Sequence, residues 1–184
     1  MAQFASRAGE KLQFALTSFK FSVKDLVVAD FGSSTGGFVD CLLQSGASKV
    51  YSVDTSYGEL AWKLRQDPRV VVMERTNAMH VSLPEKVDLV TVDTSWTKQL
   101  KVLPNAMRCL KKGGSVISLV KPHYEAGKAR LTDSEVDQVL ERVEREIEHL
   151  GLTVVGVVES PILGEKGKNR EFLLLLRSQV QGLA

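Results

Sequence analysis

Asp30-Phe31-Gly32-Ser33-Ser34-Thr35-Gly36-Gly37-Phe38 stands between a short apolar run at 27–31 and a helical pattern at 37–44. A glycine-rich turn from strand to helix leaves backbone amides and a helix N-terminus free to face a ligand, so the stretch predicts a nucleotide-type binding turn. Its spacing excludes two common turns of that kind. G-x-x-x-G-G is not the G-x-G-x-x-G of dinucleotide sites, and Phe38 follows Gly37 where a P-loop requires lysine. Phosphate is therefore not the expected ligand.

Outward from this turn, short apolar runs at 27–31, 50–53, 70–73, 87–92 and 116–120 alternate with helical patterns at 37–44, 59–65 and 98–110. Continuous apolar runs suit strands buried on both faces, and their alternation with helices predicts parallel βαβ units in a doubly wound α/β sheet. Ser6, a good N-cap residue, precedes apolar positions Ala8, Leu12, Ala15, Leu16 and Phe19 at helical spacing, which predicts a first helix over 7–19. The end of the chain changes rhythm. After an amphipathic helix at 132–150 come strands at 152–159 and 171–177, joined by a Ser, Pro, Gly and basic loop too short for a helical crossover, so they should pair antiparallel.

Asp54 ends the second strand about twenty residues beyond the turn, where a carboxylate can accept both hydroxyls of an adenosine ribose. Asp30, Gly32, Gly36 and Asp54 together suit S-adenosylmethionine, whose sulfonium and ammonium groups favour carboxylates over a phosphate nest. A glycine turn alone is weak evidence; the strand context and Asp54 strengthen it.

Four further polar residues converge on one edge of the predicted sheet. Asp93 closes the fourth strand, Lys121 closes the fifth just before Pro122, and Glu171 opens a reversed last strand. All three positions fall at the carboxyl edge, where open α/β sheets bind ligands. Lys11 lies at the margin of the first helix's apolar stripe, a place from which lysine usually snorkels to water. Methyl transfer from a sulfonium needs an aligned acceptor and removal of its proton. A lysine serves as base if a second positive charge and partial burial depress its pKa, with the carboxylates orienting the ammonium groups.

The 184 residues, 43% of them hydrophobic, suffice for one domain with its own core. Cys41 and Cys109 are widely separated and no apolar leader is evident, which points to a reduced, cytoplasmic setting. No run approaches membrane-spanning length. The net charge of +2 conceals an asymmetry: seven acidic residues face Arg142 and Arg145 between 133 and 150, so the rest of the chain is distinctly basic and suits an anionic partner. Three histidines without paired spacing make a metal site unexpected. Trp62 is expected to pack within its helix, and Trp96, beside Asp93, is a candidate substrate contact.

These residues resemble the TlyA, or hemolysin A-like, family of ribosomal RNA 2′-O-methyltransferases, within the FtsJ-like superfamily. The matching stretches are Ser-Arg-x-x-x-Lys-Leu at 6–12, the turn at 30–38, Leu-Arg-Gln-Asp-Pro-Arg-Val at 64–70, Glu-Arg-Thr-Asn at 74–77, Val-Lys-Pro at 120–122 and Ser-Pro-Ile at 160–162. The resemblance implies a seven-stranded Rossmann-like sheet with its last strand reversed and a catalytic tetrad at Lys11, Asp93, Lys121 and Glu171. It implies a cofactor pocket at Asp30, Gly32, Ser34, Gly36, Gly37, Phe38, Asp54, Asn77 and Asp93, and ribosomal RNA as partner. The basic loop residues Lys166, Lys168 and Arg170, leading to Glu171, are candidate phosphate contacts. The chain departs from the family pattern in three ways. An N-terminal S4 RNA-binding domain is not expected here, and a single domain at 1–184 is. The chain reads Thr94-Ser95-Trp96-Thr97 where the family more often has Val-Ser-Phe-Ile, and His123-Tyr124 where the family has Gln-Phe. The loop at 126–132 is also short.

Two other readings belong to different classes. A non-catalytic RNA- or cofactor-binding module would not need all four tetrad residues. A membrane-damaging protein would need a span or a basic amphipathic helix, and the sequence offers neither.

Overall fold

A computed structural model describes residues 3–164 and 169–178. In chain order the elements are α1 (Ala8–Ser18), β1 (Val27–Phe31), α2 (Gly37–Gln44), β2 (Lys49–Val53), α3 (Trp62–Arg65), β3 (Val70–Met73), β4 (Val87–Val92), α4 (Gln99–Cys109), β5 (Leu110–Val120), α5 (Pro122–Ala126), α6 (Asp133–His149), β6 (Leu152–Glu159) and β7 (Phe172–Ser178). The sheet order is β3-β2-β1-β4-β5-β7-β6. Pairings from β3 across to β5 are parallel, whereas β7 runs antiparallel to both β5 and β6.

The apolar strand runs are continuous because both faces of the sheet are covered. Alternate residues enter opposite cores. Ala29, Tyr51 and Val90 share one face with residues of α4 and α6, while Val28, Val50 and Leu89 share the other with residues of α1, α2 and α3. The register agrees: Val28 aligns with Val50 and Leu89, Ala29 with Tyr51 and Val90. A one-residue slip would exchange the two cores, so the alternation fixes the pairing.

Several boundaries differ from the sequence expectations. Ser6 does not cap α1; Arg7 holds that position without a side-chain bond, and Ser6 supplies its carbonyl to Gly9. The third helix is confined to Trp62–Arg65, and Trp62 is 74% exposed rather than packed. β5 begins at Leu110, six residues before the apolar run, because Leu110 pairs with Val87 across an irregularity ahead of Leu89. The α5 turn after Lys121 was not expected from periodicity: five residues are too few to display one. The α6 start is firmly specified by a capping box in which Thr132 and Glu135 each satisfy the other's backbone N–H.

Candidate active site

The chain leaves β1 toward β2 on one side and reaches β4 on the other, so a crevice opens at the carboxyl ends of β1 and β4. The turn after β1 is drawn against the end of β4: Asp93 N–H donates to the Phe31 carbonyl at 2.9 Å. Gly32 has φ +89°, and a Cβ there would fall 2.4 Å from the Asp93 carbonyl oxygen, so both conformation and space require glycine. The cleft beside this crossing has a volume of about 700 Å³.

The predicted tetrad assembles at one end of the cleft as two ion pairs. Lys11 Nζ donates to Glu171 Oε2 at 2.5 Å, and Lys121 Nζ donates to Asp93 Oδ1 at 2.5 Å. All four residues line the same cleft. Lys11 does not snorkel outward; its side chain and that of Glu171 are 7% and 4% exposed. Burial of a charge this complete is tolerated only with a partner, and each supplies it for the other. Burial pulls the Lys121 ammonium down, but the charge and hydrogen bond of Asp93, with Glu171 behind, outweigh it and hold Lys121 above its ordinary value. The depressed lysine expected from the sequence is therefore absent in the free protein. The second lysine is neutralised by its own carboxylate instead of bearing on Lys121.

At the other end Asp54 is held by three local donors. Ser34 N–H donates to Oδ2 at 2.7 Å, and Ser56 donates to Oδ1 from N–H at 2.8 Å and from its hydroxyl at 2.7 Å. A carboxylate offers about four acceptor positions, so roughly one remains for a ligand hydroxyl where the sequence suggested two. Gly32, Ser34, Gly37, Phe38, Asn77 and Asp93 line the cleft as expected. Asp30 and Gly36 do not. Asp30 lies fully buried beneath the turn, taking a hydrogen bond from Thr91 Oγ1 at 2.6 Å; its second oxygen has no hydrogen-bond partner among the described residues. Burial pushes its carboxyl up to about 7, Thr91 and the nearby Ser33 hydroxyl opposing and Asp93 and Asp54 adding to the rise. Gly36, φ +96°, gives its space to Leu60 and Leu64.

This wall suits a cationic adenosine cofactor. With Lys11 matched to Glu171 and Lys121 to Asp93, Asp54 and Glu59 stand against Arg7 along the cleft, so the remaining charge favours a cation and disfavours a polyphosphate. Asp54, Asn77 and the Gly32–Ser34 backbone would hold such a group. Among the described residues no cluster of His, Cys, Asp and Glu could bind a metal ion, and no helix is long and apolar enough to cross a membrane.

Lys166 and Lys168 lie outside the described residues. Arg170 is engaged elsewhere than expected: it makes two hydrogen bonds to Glu159 at 2.9 Å and lies within 3.4 Å and 3.5 Å of Asp133 and Asp137. The outer rim carries aromatic groups that spacing did not reveal as a unit. Trp96 is 76% exposed, and its ring stacks on Tyr124 with centroids 4.4 Å apart.

The reversed β7 and the crevice above β1 and β4 define a methyltransferase-type α/β fold. A family model described as FtsJ-like methyltransferase matches residues 4–178, and the chain belongs to that family. It is 42% identical to the 16S/23S rRNA (cytidine-2′-O)-methyltransferase TlyA of Mycobacterium tuberculosis, over 96% of this chain and 69% of that one. It is 35% identical to hemolysin A of Brachyspira hyodysenteriae, over 93% and 75%. A solved structure from Streptococcus thermophilus, a protein bearing a hemolysin name, superposes with a TM-score of 0.91 at 37% identity, covering 98% of this chain and 69% of that one.

Proposed function

We propose that this chain methylates the 2′-hydroxyl of a ribose in ribosomal RNA, with S-adenosylmethionine as methyl donor. The observation that carries the reading is the paired arrangement Lys11–Glu171 and Lys121–Asp93 at one end of a cleft whose other end holds Asp54. The similarity to an rRNA (cytidine-2′-O)-methyltransferase supports the substrate class.

The bound cofactor supplies an electrophilic methyl group; the protein must align the hydroxyl and dispose of its proton. Asp93 and Glu171 fix the two ammonium groups, so their donors are already oriented when the ribose arrives, and little reorganisation remains. Lys121 carries a proton in the free protein and must lose it to act as base. Positive charge brought to the wall beside Asp93 weakens the hold of that carboxylate on Lys121 and moves its proton affinity down. The exposed face of Trp96 offers a platform on which an unstacked base can rest.

The test is label transfer from radioactive S-adenosylmethionine to total ribosomal RNA and to intact subunits, followed by alkaline hydrolysis. A methylated 2′-oxygen cannot attack the adjoining phosphate, so the label should emerge in an alkali-resistant dinucleotide. Label in mononucleotides would mean that a base is methylated, and no transfer would refute the reading.

A further inference from the structure

Three buried side-chain polar atoms have no hydrogen-bond partner among the described residues, and two of them belong to residues that line the cleft: Thr94 Oγ1 and His123 Nδ1. Native proteins pair nearly all such atoms, so a pair left open in one cleft calls for an explanation. Ties on either side join the two segments that carry these residues. Asp93 is bonded to Lys121, and Trp96 is stacked on Tyr124, so Thr94 and His123 each lie between the anchored members of their own segment. The His123 ring also rests against Tyr124, with centroids 4.1 Å apart, which limits its movement.

The location is on the acceptor side. His123 is 7% exposed and feels the charges of both Glu171 and Lys121, two members of the tetrad. Burial pulls its imidazole below the ordinary value, Glu171 opposing and Lys121 adding to the fall, so the ring is neutral near pH 7. With no acceptor for Nδ1, the ring keeps its proton on Nε2, because an orphaned buried N–H is rarer than an unused lone pair. His123 Nδ1 is thus an open, neutral acceptor and Thr94 a hydroxyl able to give or accept. A phosphate is a poor match, since no net positive charge is offered; the edge of a nucleobase is a good one.

We infer that Thr94 and His123 form a base-recognition subsite that hydrogen-bonds the edge of the acceptor nucleotide, His123 Nδ1 accepting from an amino or ring N–H of the base, and so selects which ribose is presented to Lys121. The inference rests on the RNA reading above. A base without matching groups leaves both atoms unpaired, the situation in which a buried site discriminates most steeply.

The experiment compares wild type, Thr94→Val, His123→Leu and His123→Gln on an RNA fragment carrying each of the four nucleotides in turn at the methylated position. Wild type should prefer one nucleotide. His123→Leu should raise the KM for that RNA and narrow the preference by at least about tenfold, the scale of one buried hydrogen bond, with kcat at saturation changed little. His123→Gln offers a carbonyl acceptor in its place and should recover most of the preference. Thr94→Val, nearly isosteric, should weaken it with the melting temperature unchanged. Calorimetry with S-adenosylhomocysteine should give the same affinity for all four proteins. Wild-type preference retained in both His123→Leu and Thr94→Val would overturn the inference, as would a loss confined to cofactor affinity. Absence of methyl transfer by wild type to any RNA would instead remove the reading on which it rests.

Discussion

Lys121 and Arg differ in one property that matters here: arginine keeps its proton at any accessible pH, with a pKa above about 12. If Lys121 removes the ribose proton, Lys121→Arg must fail as fully as Lys121→Met, each by roughly the hundredfold or more expected of a lost general base. Single-turnover methyl transfer measures this, with calorimetry confirming that cofactor binding stays within a few-fold of wild type. Substantial turnover in the arginine enzyme beside a dead methionine enzyme would assign Lys121 a purely electrostatic role. Asp54 gives a complementary result at the other end of the cleft. Asp54→Ala removes a ligand acceptor and also releases Ser34 and Ser56, so S-adenosylhomocysteine affinity should fall at least about tenfold; equal affinity would take Asp54 out of the pocket. The identities of these residues were legible in the sequence because strand ends and turns are local features. Their states were not. Lys11 stands at the edge of an apolar stripe in sequence, and only the arrival of Glu171, 160 residues later, explains its burial. The raised Lys121 has the same origin, since Asp93 reaches it from another strand.

Elements were legible in proportion to their length and periodicity. The strands that pair on both sides read as unbroken apolar runs, and α6, with a capping box and seventeen residues, was bounded closely. Thr132→Ala should cost about 1 kcal/mol by chemical denaturation, the usual worth of an N-cap, and leave methyl transfer untouched. The basic charges of the loop before β7 suggest a phosphate grip in sequence; the acidic partners of Arg170 come from β6 and α6, whose proximity is a tertiary fact. Arg170 lies over the Phe172 ring at 5.3 Å and joins Glu159 to Asp133 and Asp137. Its charge is spent within the protein, so Arg170→Ala should leave the salt dependence of RNA binding unchanged while lowering the melting temperature by a few degrees. A slope reduced by about one charge equivalent would restore Arg170 to the phosphate contacts.

At the scale of the whole molecule, sheet order was beyond periodicity, because 27–31 and 87–92 are equally apolar and nothing local says that they are neighbours. The resemblance supplied that order and the structure carries it. What the completed sheet adds is a buried acid at its centre. Asp30 lies on β1 with β2 and β4 on either side, and burial, opposed by Thr91, lifts its carboxyl from 3.8 to about 7. Between those values the folded protein holds a proton that the unfolded chain has released, so this group's contribution favours folding at low pH and is lost as pH rises through about 7. The full span corresponds to at most about 4 kcal/mol. Asp67, Glu85 and Glu159, held below their ordinary values by hydrogen bonds from Arg69, Lys49 and Arg170, act with the opposite sign and lose their contribution as the solution is acidified. Wild-type stability alone therefore cannot isolate Asp30, but a difference can. Asp30→Asn keeps the size of the side chain and an oxygen for Thr91, and it cannot ionise. Denaturant unfolding of the two proteins should give similar stabilities near pH 4 and an advantage for Asp30→Asn that grows toward pH 8, reaching a few kcal/mol. Parallel curves across that range would mean that Asp30 does not change charge between the folded and unfolded chain, and that its buried oxygen is stabilised as an anion.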